Sequence, residues 1–309
     1  MTAAVLDAAA YAKRAANGAA AAEEQAARTP NLLDYGAERL TGPPPPVRWL
    51  VEGSIPLGVP AVLAAMGDTG KSYLTLQLCF HVSQEESGGN LDFHTPPILG
   101  GRIAAHGTAV FISSEDSEAE IHRRLAVIDP GERRRDRPGK LIVVSLPDAG
   151  GPMPFFVQDR RGGVAVTDNW KMICDQLAKI DDVRLACFDP LSTFAQVALD
   201  KDSTEAQFVA GQLGTLAAQT GATVLAPHHM RKAAEAPKNV AEARERIRGS
   251  SGIVDGVRVA YALWWSRPSV REGPVRQQGW TPQGGQSRSG AGPSTHRGSD
   301  RDAGGDHAG

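Results

Sequence analysis

The sequence predicts an α/β protein with a mainly parallel sheet and helices on both faces. Between Val47 and about Trp265, short apolar runs, several rich in Val and Ile, alternate with longer helical stretches. Strands that are buried on both faces have this continuous apolar character, and their alternation with helices is typical of parallel sheets. A glycine-rich loop also joins the first of these runs directly to a helix, as expected in a strand–loop–helix unit.

The same pattern predicts the individual elements in order. The predicted strands are Ala61–Met66, Thr108–Ser114, Leu141–Leu146, Leu185–Asp189, Thr223–Pro227 and Val257–Trp265. The helical stretches between them include Ser72–Ser83, Glu118–Ile128, Trp170–Ile180 and Thr204–Thr220.

Composition divides the chain into three parts. Residues 1–46 form an alanine-rich segment, predicted to be helical, that ends in the stiff spacer Pro43–Pro46. Residues 47–268 form the α/β domain. Residues 269–309 are dominated by polar residues and glycine with almost no aliphatic residues, so this tail is predicted to be disordered because it cannot bury enough apolar surface.

The overall composition indicates a soluble protein without a general affinity for polyanions. The net charge is −2, so any contact with nucleic acid requires a local basic patch. The three cysteines are far apart and include no CxxC pair, which argues against a zinc site or disulfides. Because no apolar run approaches the roughly 20 residues of a membrane span and no signal peptide is present, we expect a cytoplasmic protein.

The glycine-rich loop predicts ATP binding. The apolar run ending at Met66, here called the P-loop strand, leads into Gly67-Asp68-Thr69-Gly70-Lys71-Ser72 and then a helix. This is the context in which such a loop, the P-loop, cradles phosphates. Backbone N–H groups and the helix N-terminus bind the phosphates, Lys71 contacts the β- and γ-phosphates, and Ser72 is a ligand of Mg²⁺. The expected nucleotide-binding residues are Ala65, Met66, Gly67, Asp68, Thr69, Gly70, Lys71, Ser72 and Tyr73; Ala65 stands where the usual pattern has glycine.

Two acidic residues that end apolar strands are candidates for the ATP chemistry. Asp189 is expected to hold Mg²⁺ through water from a strand neighbouring the P-loop strand, although an aspartate there can also cap a strand or helix end. Glu115 is expected to orient the attacking water, from the end of the strand next to the P-loop strand. Asp116 and Ser117 are expected to cap the helix that begins at Glu118, and Glu115 can also belong to this cap.

Four segments resemble the RecA-like superfamily and, within it, the hexameric replicative helicases of plasmid RepA type. They are Trp49–Pro56, Ser113–Asp116, Pro227–His229 and Arg248–Asp255 followed by Arg258. The resemblance implies a RecA-like fold, a hexameric ring and action on single-stranded DNA. It further implies that His228 or His229 senses the γ-phosphate, with structural hydrogen bonding or metal binding as alternatives. Arg258, or else Arg248, is implied as an arginine finger that acts on a neighbouring subunit; the alternative is a solvated arginine.

A basic stretch follows the two histidines and is the candidate contact with DNA. Its cationic residues are Arg231, Lys232, Lys238, Arg244, Arg246 and Arg248. We expect a flexible loop that lines the hole of a ring, with a solvated helical face bearing interleaved glutamates as the alternative.

The sequence departs from the family pattern after Trp265, where further strands are expected and the polar tail begins instead. One interpretation is that a change of reading frame has replaced the natural end of the domain. Four functions therefore remain open: a DNA motor, a non-motor regulatory ATPase, a small-molecule kinase, which lacks supporting signatures, and an inactive remnant that only binds ATP.

Overall fold

The computed structural model describes residues 31–85, 97–199, 203–230, 237–247 and 251–264. The chain divides into two compact units, Met1–Arg48 and Trp49–Gly309. In the first unit, the described residues form two 3₁₀ turns, Leu32–Tyr35 and Ala37–Arg39, where the alanine-rich segment was predicted to be α-helical. The rest of the predicted N-terminal helix and the predicted disordered tail lie outside the described residues.

The second unit contains all of the described β-strands and α-helices. Its strands are β1 Trp49–Val51, β2 Ile55–Pro56, β3 Pro60–Ala65, β4 Thr108–Ser113, β5 Leu141–Ser145, β6 Phe156–Gln158, β7 Val164–Val166, β8 Val183–Asp189, β9 Ala195–Gln196, β10 Thr223–His229 and β11 Val259–Leu263. Its helices are α1 Lys71–Ser83, α2 Glu118–Ile128, α3 Asp168–Lys179, α4 Leu191–Phe194, α5 Ser203–Thr220, α6 Val240–Arg246 and α7 Ser251–Gly256. A further 3₁₀ turn spans Arg133–Asp136.

The main sheet confirms the predicted α/β, RecA-like fold. Six strands are ordered β11-β3-β10-β8-β4-β5, and every neighbouring pair is parallel. All six predicted strands and the predicted helices appear, with ends that shift by a few residues. Because the strands are parallel, the segments that follow them meet at one edge of the sheet, here called the carboxyl edge.

Helices cover both faces of the sheet and bury two separate apolar layers. On one face, α1 and α2 pack with side chains such as Leu76 and Ile121 over Leu63, Phe111 and Cys187. On the other face, α3 and α5 cover the alternate strand positions with residues that include Trp170 and Leu213. Since successive side chains of a strand point to opposite faces, this division tells which face each residue at the carboxyl edge belongs to.

The α1 face contains a close pair of thiols between the P-loop helix and the central sheet. Cys79 Sγ on α1 lies 3.4 Å from Cys187 Sγ on β8, and both side chains are buried. Burial, followed by the contact with Cys79 and the nearby charge of Asp189, raises the pKa of Cys187 well above its usual range. The group therefore remains a neutral thiol that packs as a small apolar side chain.

Two smaller sheets were not predicted from the sequence. β1 and β2 form a short antiparallel pair, and β7, β6 and β9 form a three-stranded sheet. These strands are only two or three residues long, too short for an alternating pattern to stand out. Among the described residues, no helix has the length and apolar character needed to cross a membrane.

Candidate nucleotide-binding site

The P-loop lies at the carboxyl edge, between the end of β3 at Ala65 and the start of α1 at Lys71. Gly70 precedes the helix with φ 86°, a left-handed conformation that favours glycine. No side chain caps α1, so its first backbone N–H groups and its dipole face the loop, as an anion site requires. The buried Thr69 hydroxyl donates to the carbonyl of Met66 and closes the loop on itself. Gly67 and Asp68 are exposed at its outer side.

Lys71 and Asp189 form a buried ion pair across this edge. Lys71 Nζ lies 2.8 Å from Asp189 Oδ1, and the two side chains are only 7% and 1% exposed. Asp189 is two residues beyond Cys187 and four beyond Leu185 along β8, so its side chain lies on the same face of the sheet as theirs, the α1 face. The sequence-predicted lysine and aspartate are therefore brought together by the fold.

The strand order corrects the expectation that Asp189 and Glu115 end strands adjacent to the P-loop strand. Neither β8 nor β4 neighbours the P-loop strand, because β10 separates β3 from β8, and β4 lies beyond β8. Glu115 thus follows a strand about 14 Å from β3, at about 4.8 Å per strand spacing. Helix α1 lies over β4 and β8 rather than over β3, because its packing contacts are mainly with those two strands. The lysine at its N-terminus consequently reaches the aspartate at the end of β8.

The residues present fit a magnesium ion bound together with nucleotide. Asp189 Oδ2 is buried and has no hydrogen-bond partner among the described residues. A carboxylate oxygen in this position can accept hydrogen bonds from the water shell of Mg²⁺, which retains several waters in nucleotide sites. Ser72 is half-buried in the first turn of α1 and supplies a hydroxyl oxygen beside the loop. These two residues are the ones that would hold the ion, which neutralises phosphate charge when bound.

Changing Asp189 to Asn should weaken the use of magnesium by this site. The amide loses the negative charge that attracts the hydrated ion, so we expect the Mg²⁺ concentration for half-maximal ATP hydrolysis to rise by about 10-fold or more. A titration of Mg²⁺ at fixed ATP measures this shift. The exposed Asp175→Asn on α3 is the matched control, with an unchanged titration. An unaltered titration for Asp189→Asn would place the metal ligand at another acid.

Glu115 and Asp116 have different surroundings. The Asp116 carboxylate is held by both terminal nitrogens of Arg124, at 2.7 and 2.9 Å. Glu115 is exposed, and among the described residues its carboxylate forms no ion pair or hydrogen bond. Of the two, Glu115 is therefore the carboxylate with both oxygens free of partners among the described residues, and so the better placed to accept a hydrogen bond from water. The pairing of Asp116 with Arg124 was missed in the sequence because it joins a loop residue to the second turn of α2.

Of the two residues expected to cap α2, Asp116 and Ser117, only Ser117 does so. Ser117 is the N-cap and accepts from the backbone N–H of Glu120 at 3.3 Å. Asp148, from the loop after β5, accepts from the N–H of Glu118 at 2.6 Å, so this contact comes from a distant segment. Since neither Glu115 nor Asp116 caps the helix, the capping alternative for Glu115 is removed.

The two histidines at the end of β10 point to opposite faces. His228 pairs in register with Ala64, lies on the α5 face and is 2% exposed. His229 pairs with Ala65, is half-buried and has the parity of the α1 face, where Asp189 also lies. The two histidines, which the sequence did not distinguish as candidate sensors, therefore lie on different faces of the sheet, and only His229 shares a face with Asp189.

Arg258 lies at the opposite edge of the sheet from the P-loop. It is exposed and immediately precedes β11, and its backbone N–H donates to the carbonyl of Pro60 at the start of β3. The five-residue rise from Pro60 to Ala65 separates it from the P-loop by about 16 Å. Arg248, the alternative finger, lies outside the described residues.

The described part of the basic stretch contains a helix with interleaved glutamates, which is the alternative to the flexible loop that we expected. Arg244 and Arg246 lie on α6, where Arg244 pairs with Asp255 and Arg246 pairs with Glu242. Ala243 on this helix and Ile247 at its C-cap are buried, so apolar contacts hold one side of the helix against the protein. Lys238 precedes the helix, and Arg231, Lys232 and Arg248 lie outside the described residues.

Comparison with known proteins identifies the family. A model of the AAA domain family matches residues 26–235, which is more than half of the chain. A solved structure of a KaiC-like protein from the hyperthermophilic archaeon Pyrococcus horikoshii OT3 is similar at 18% sequence identity and a TM-score of 0.41, covering 71% of this chain and 82% of that one. The family match agrees with the P-loop, the Lys71–Asp189 pair and the parallel sheet described above. The chain belongs to the AAA domain family, and the parallel sheet described above gives its ATPase domain a RecA-like fold.

Proposed function

We propose that the chain is an ATP-driven motor that assembles as a ring, hexameric as in RepA-type helicases, and acts on single-stranded DNA. The observation that carries this proposal is the division of the catalytic groups between the two edges of the sheet. The P-loop, Asp189 and Glu115 are at the carboxyl edge, whereas Arg258 is about 16 Å away at the other. An arginine so placed acts on a phosphate only in a second copy, and head-to-tail contacts between copies close into rings.

In this proposal each residue has a defined part in hydrolysis. The P-loop N–H groups and Lys71 hold the β- and γ-phosphates, and Ser72 and Asp189 hold Mg²⁺. Glu115 orients the attacking water, and Arg258 of the adjacent subunit stabilises the charge that develops on the γ-phosphate. Because Lys71 already contacts Asp189, phosphate binding and metal binding are linked through one ion pair.

We assign the sensor role to His229 rather than His228. His229 lies on the α1 face of the carboxyl edge together with Asp189, while His228 faces the α5 layer. His229 is also followed at once by Met230, whose N–H donates to Ala65 at 2.8 Å and so ties the end of β10 to the start of the P-loop. A change at the γ-phosphate can therefore be passed to the segment after β10.

The motor proposal is tested by steady-state ATP hydrolysis at low salt, with and without single-stranded DNA. We expect DNA to raise the rate of ATP hydrolysis several-fold, because a DNA motor couples hydrolysis to its movement along DNA. We also expect the activity per subunit to fall on dilution, because the finger comes from a second copy. A rate that ignores both DNA and protein concentration would refute the motor and the shared site together.

A non-motor regulatory ATPase is the second candidate, favoured by the charges on α6. Two of the arginines expected to contact DNA are instead neutralised within the protein by Asp255 and Glu242. Hydrolysis that depends on protein concentration but not on DNA would support this function.

A further inference from the structure

We propose that the β6–β7 hairpin contacts the phosphate backbone of single-stranded DNA through Arg160 and Arg161 at its tip. This inference rests on the proposed motor function and assigns the DNA contact to a segment outside the basic stretch after β10. The hairpin runs from Phe156 to Val166.

The hairpin lies at the same edge of the sheet as the nucleotide site. β5 ends at the carboxyl edge at Ser145, and α3 must return the chain to the amino edge, where β8 begins. The segment between Ser145 and α3 therefore extends beyond the carboxyl edge, together with the P-loop and Asp189. A ligand bound to the hairpin is therefore at the same edge of the sheet as the nucleotide site.

The tip presents two arginines whose guanidinium groups contact no acidic side chain of the hairpin, and the turn 159–163 carries a net charge of +1. Both side chains are exposed, and among the described residues neither guanidinium makes an ion pair or a hydrogen bond. The one acid of the turn, Asp159, uses a single carboxylate oxygen to accept from the N–H groups of Arg161 and Gly163, at 2.7 and 2.8 Å. By comparison, the exposed Arg123 and Arg135 are paired with glutamates at 2.7 Å.

Hydrogen bonds hold the backbone of the turn in a defined shape, so DNA binding requires little further ordering of that backbone. Asp159 N–H donates to Gly163 O at 2.7 Å, and the strands below pair from Phe156 to Gln158. Gln158 is anchored by the buried Glu205 of α5, which also accepts from the N–H of Ala198 after β9. Guanidinium groups suit phosphate oxygens, and because the backbone beneath them is already held, the ordering on binding is limited to the two arginine side chains.

An aromatic cluster connects the hairpin to the strand that ends in Asp189. Phe155, at the base of β6, stacks on Phe194 with ring centres 4.6 Å apart and meets the edge of Phe188 at 5.2 Å. Its N–H donates to the carbonyl of Phe194 at 2.7 Å. Because Phe188 directly precedes Asp189, packed side chains join the base of the hairpin to the aspartate, and this contact gives DNA at the tip a route by which to influence hydrolysis.

The chemistry of the tip favours a sequence-independent polyanion. Contacts from guanidinium groups to phosphate oxygens carry no information about the bases, and no aromatic residue lies among residues 159–163 for bases to stack upon. An acidic polypeptide is the alternative partner, and the proposed motor function favours DNA.

The test compares the double variant Arg160→Ala, Arg161→Ala with the control Arg123→Ala, Arg135→Ala in the full chain. Both lose two exposed positive charges, so their net charges are equal. Binding of labelled oligo(dT) is measured over a salt series, together with ATP hydrolysis. At 0.1 M salt we expect an affinity loss on the order of 10-fold for the tip variant, and a salt slope smaller by about 1.4, since each contact to a single strand contributes about 0.7.

The outcomes separate the hairpin from the motor proposal. The tip variant should keep the DNA-independent ATPase rate and lose much of the DNA stimulation, while the control keeps both. If both variants bind oligo(dT) like the wild type, the hairpin assignment is wrong and the motor proposal stands. If the wild-type protein fails to bind oligo(dT), both are wrong; binding of polyglutamate by the wild type but not by the tip variant would then identify an acidic polypeptide as the partner.

Discussion

Lys71→Ala is expected to abolish ATP binding. The variant loses the only lysine of the P-loop, and with it charge-assisted hydrogen bonds to phosphate of about 1.5–3 kcal/mol each. We therefore expect the affinity for ATP to fall by about 100-fold or more. Equilibrium binding of a fluorescent ATP analogue measures the change, and the exposed Lys171→Ala serves as a control with unchanged affinity. Undiminished affinity of the Lys71 variant would refute the P-loop assignment.

The same substitution leaves Asp189 buried without its cationic partner. Removing one member of a buried ion pair costs about 3–5 kcal/mol, so loss of binding could reflect unfolding. The double variant Lys71→Ala, Asp189→Asn removes this charge and should recover much of the thermal stability while still failing to bind ATP. Thermal unfolding followed by circular dichroism distinguishes the two effects. Recovery of ATP binding in the folded double variant would contradict the role of Lys71.

Glu115→Gln is expected to preserve ATP binding and slow hydrolysis by about 100-fold or more, the usual contribution of a positioned base. The carboxylate is exposed and free of ion pairs with the described residues, so its loss should leave stability within about 0.5 kcal/mol. Single-turnover hydrolysis by pre-bound enzyme measures the chemical step apart from binding.

Glu118→Gln is the matched control for this prediction. It makes the same change at an exposed glutamate three residues away, at the start of α2, and should hydrolyse ATP at the wild-type rate. A fully active Glu115→Gln protein would assign the orienting role to another residue. Asp116 is the next acid along the chain, and its carboxylate is already held by a bidentate contact with Arg124.

The fold was predictable because its strands are buried on both faces. Such strands appear in the sequence as continuous apolar runs, and the six strands of the sheet fall in the six predicted places, with β4 starting at Thr108 as expected. The helix predicted as Glu118–Ile128 was confirmed at both ends, because Ser117 provides a recognisable N-cap. The short strands β6, β7 and β9 were missed, since two or three residues carry no detectable period.

The candidate site was predictable only as a set of residues. Local patterns predict each residue: a glycine-rich loop predicts Lys71, and an acid at the end of an apolar run predicts Asp189 and Glu115. Their mutual positions, however, depend on the order of strands in the sheet. That order placed β10 between β3 and β8, contrary to the expectation of neighbouring strands. It also means that α1 lies over β8 and β4 rather than over β3, which puts Lys71 at its N-terminus beside Asp189.

By itself, the sequence determined the fold class, the P-loop and the acids that end the strands, because local periodicity and composition specify them. Tertiary structure alone decided which histidine shares a face with Asp189, that Arg258 lies at the opposite edge, and that the Arg160–Arg161 tip connects through Phe155 to Phe188. The physical reason is that these relations depend on strand order, side-chain parity and contacts between distant segments, none of which has a signature in a short stretch of sequence.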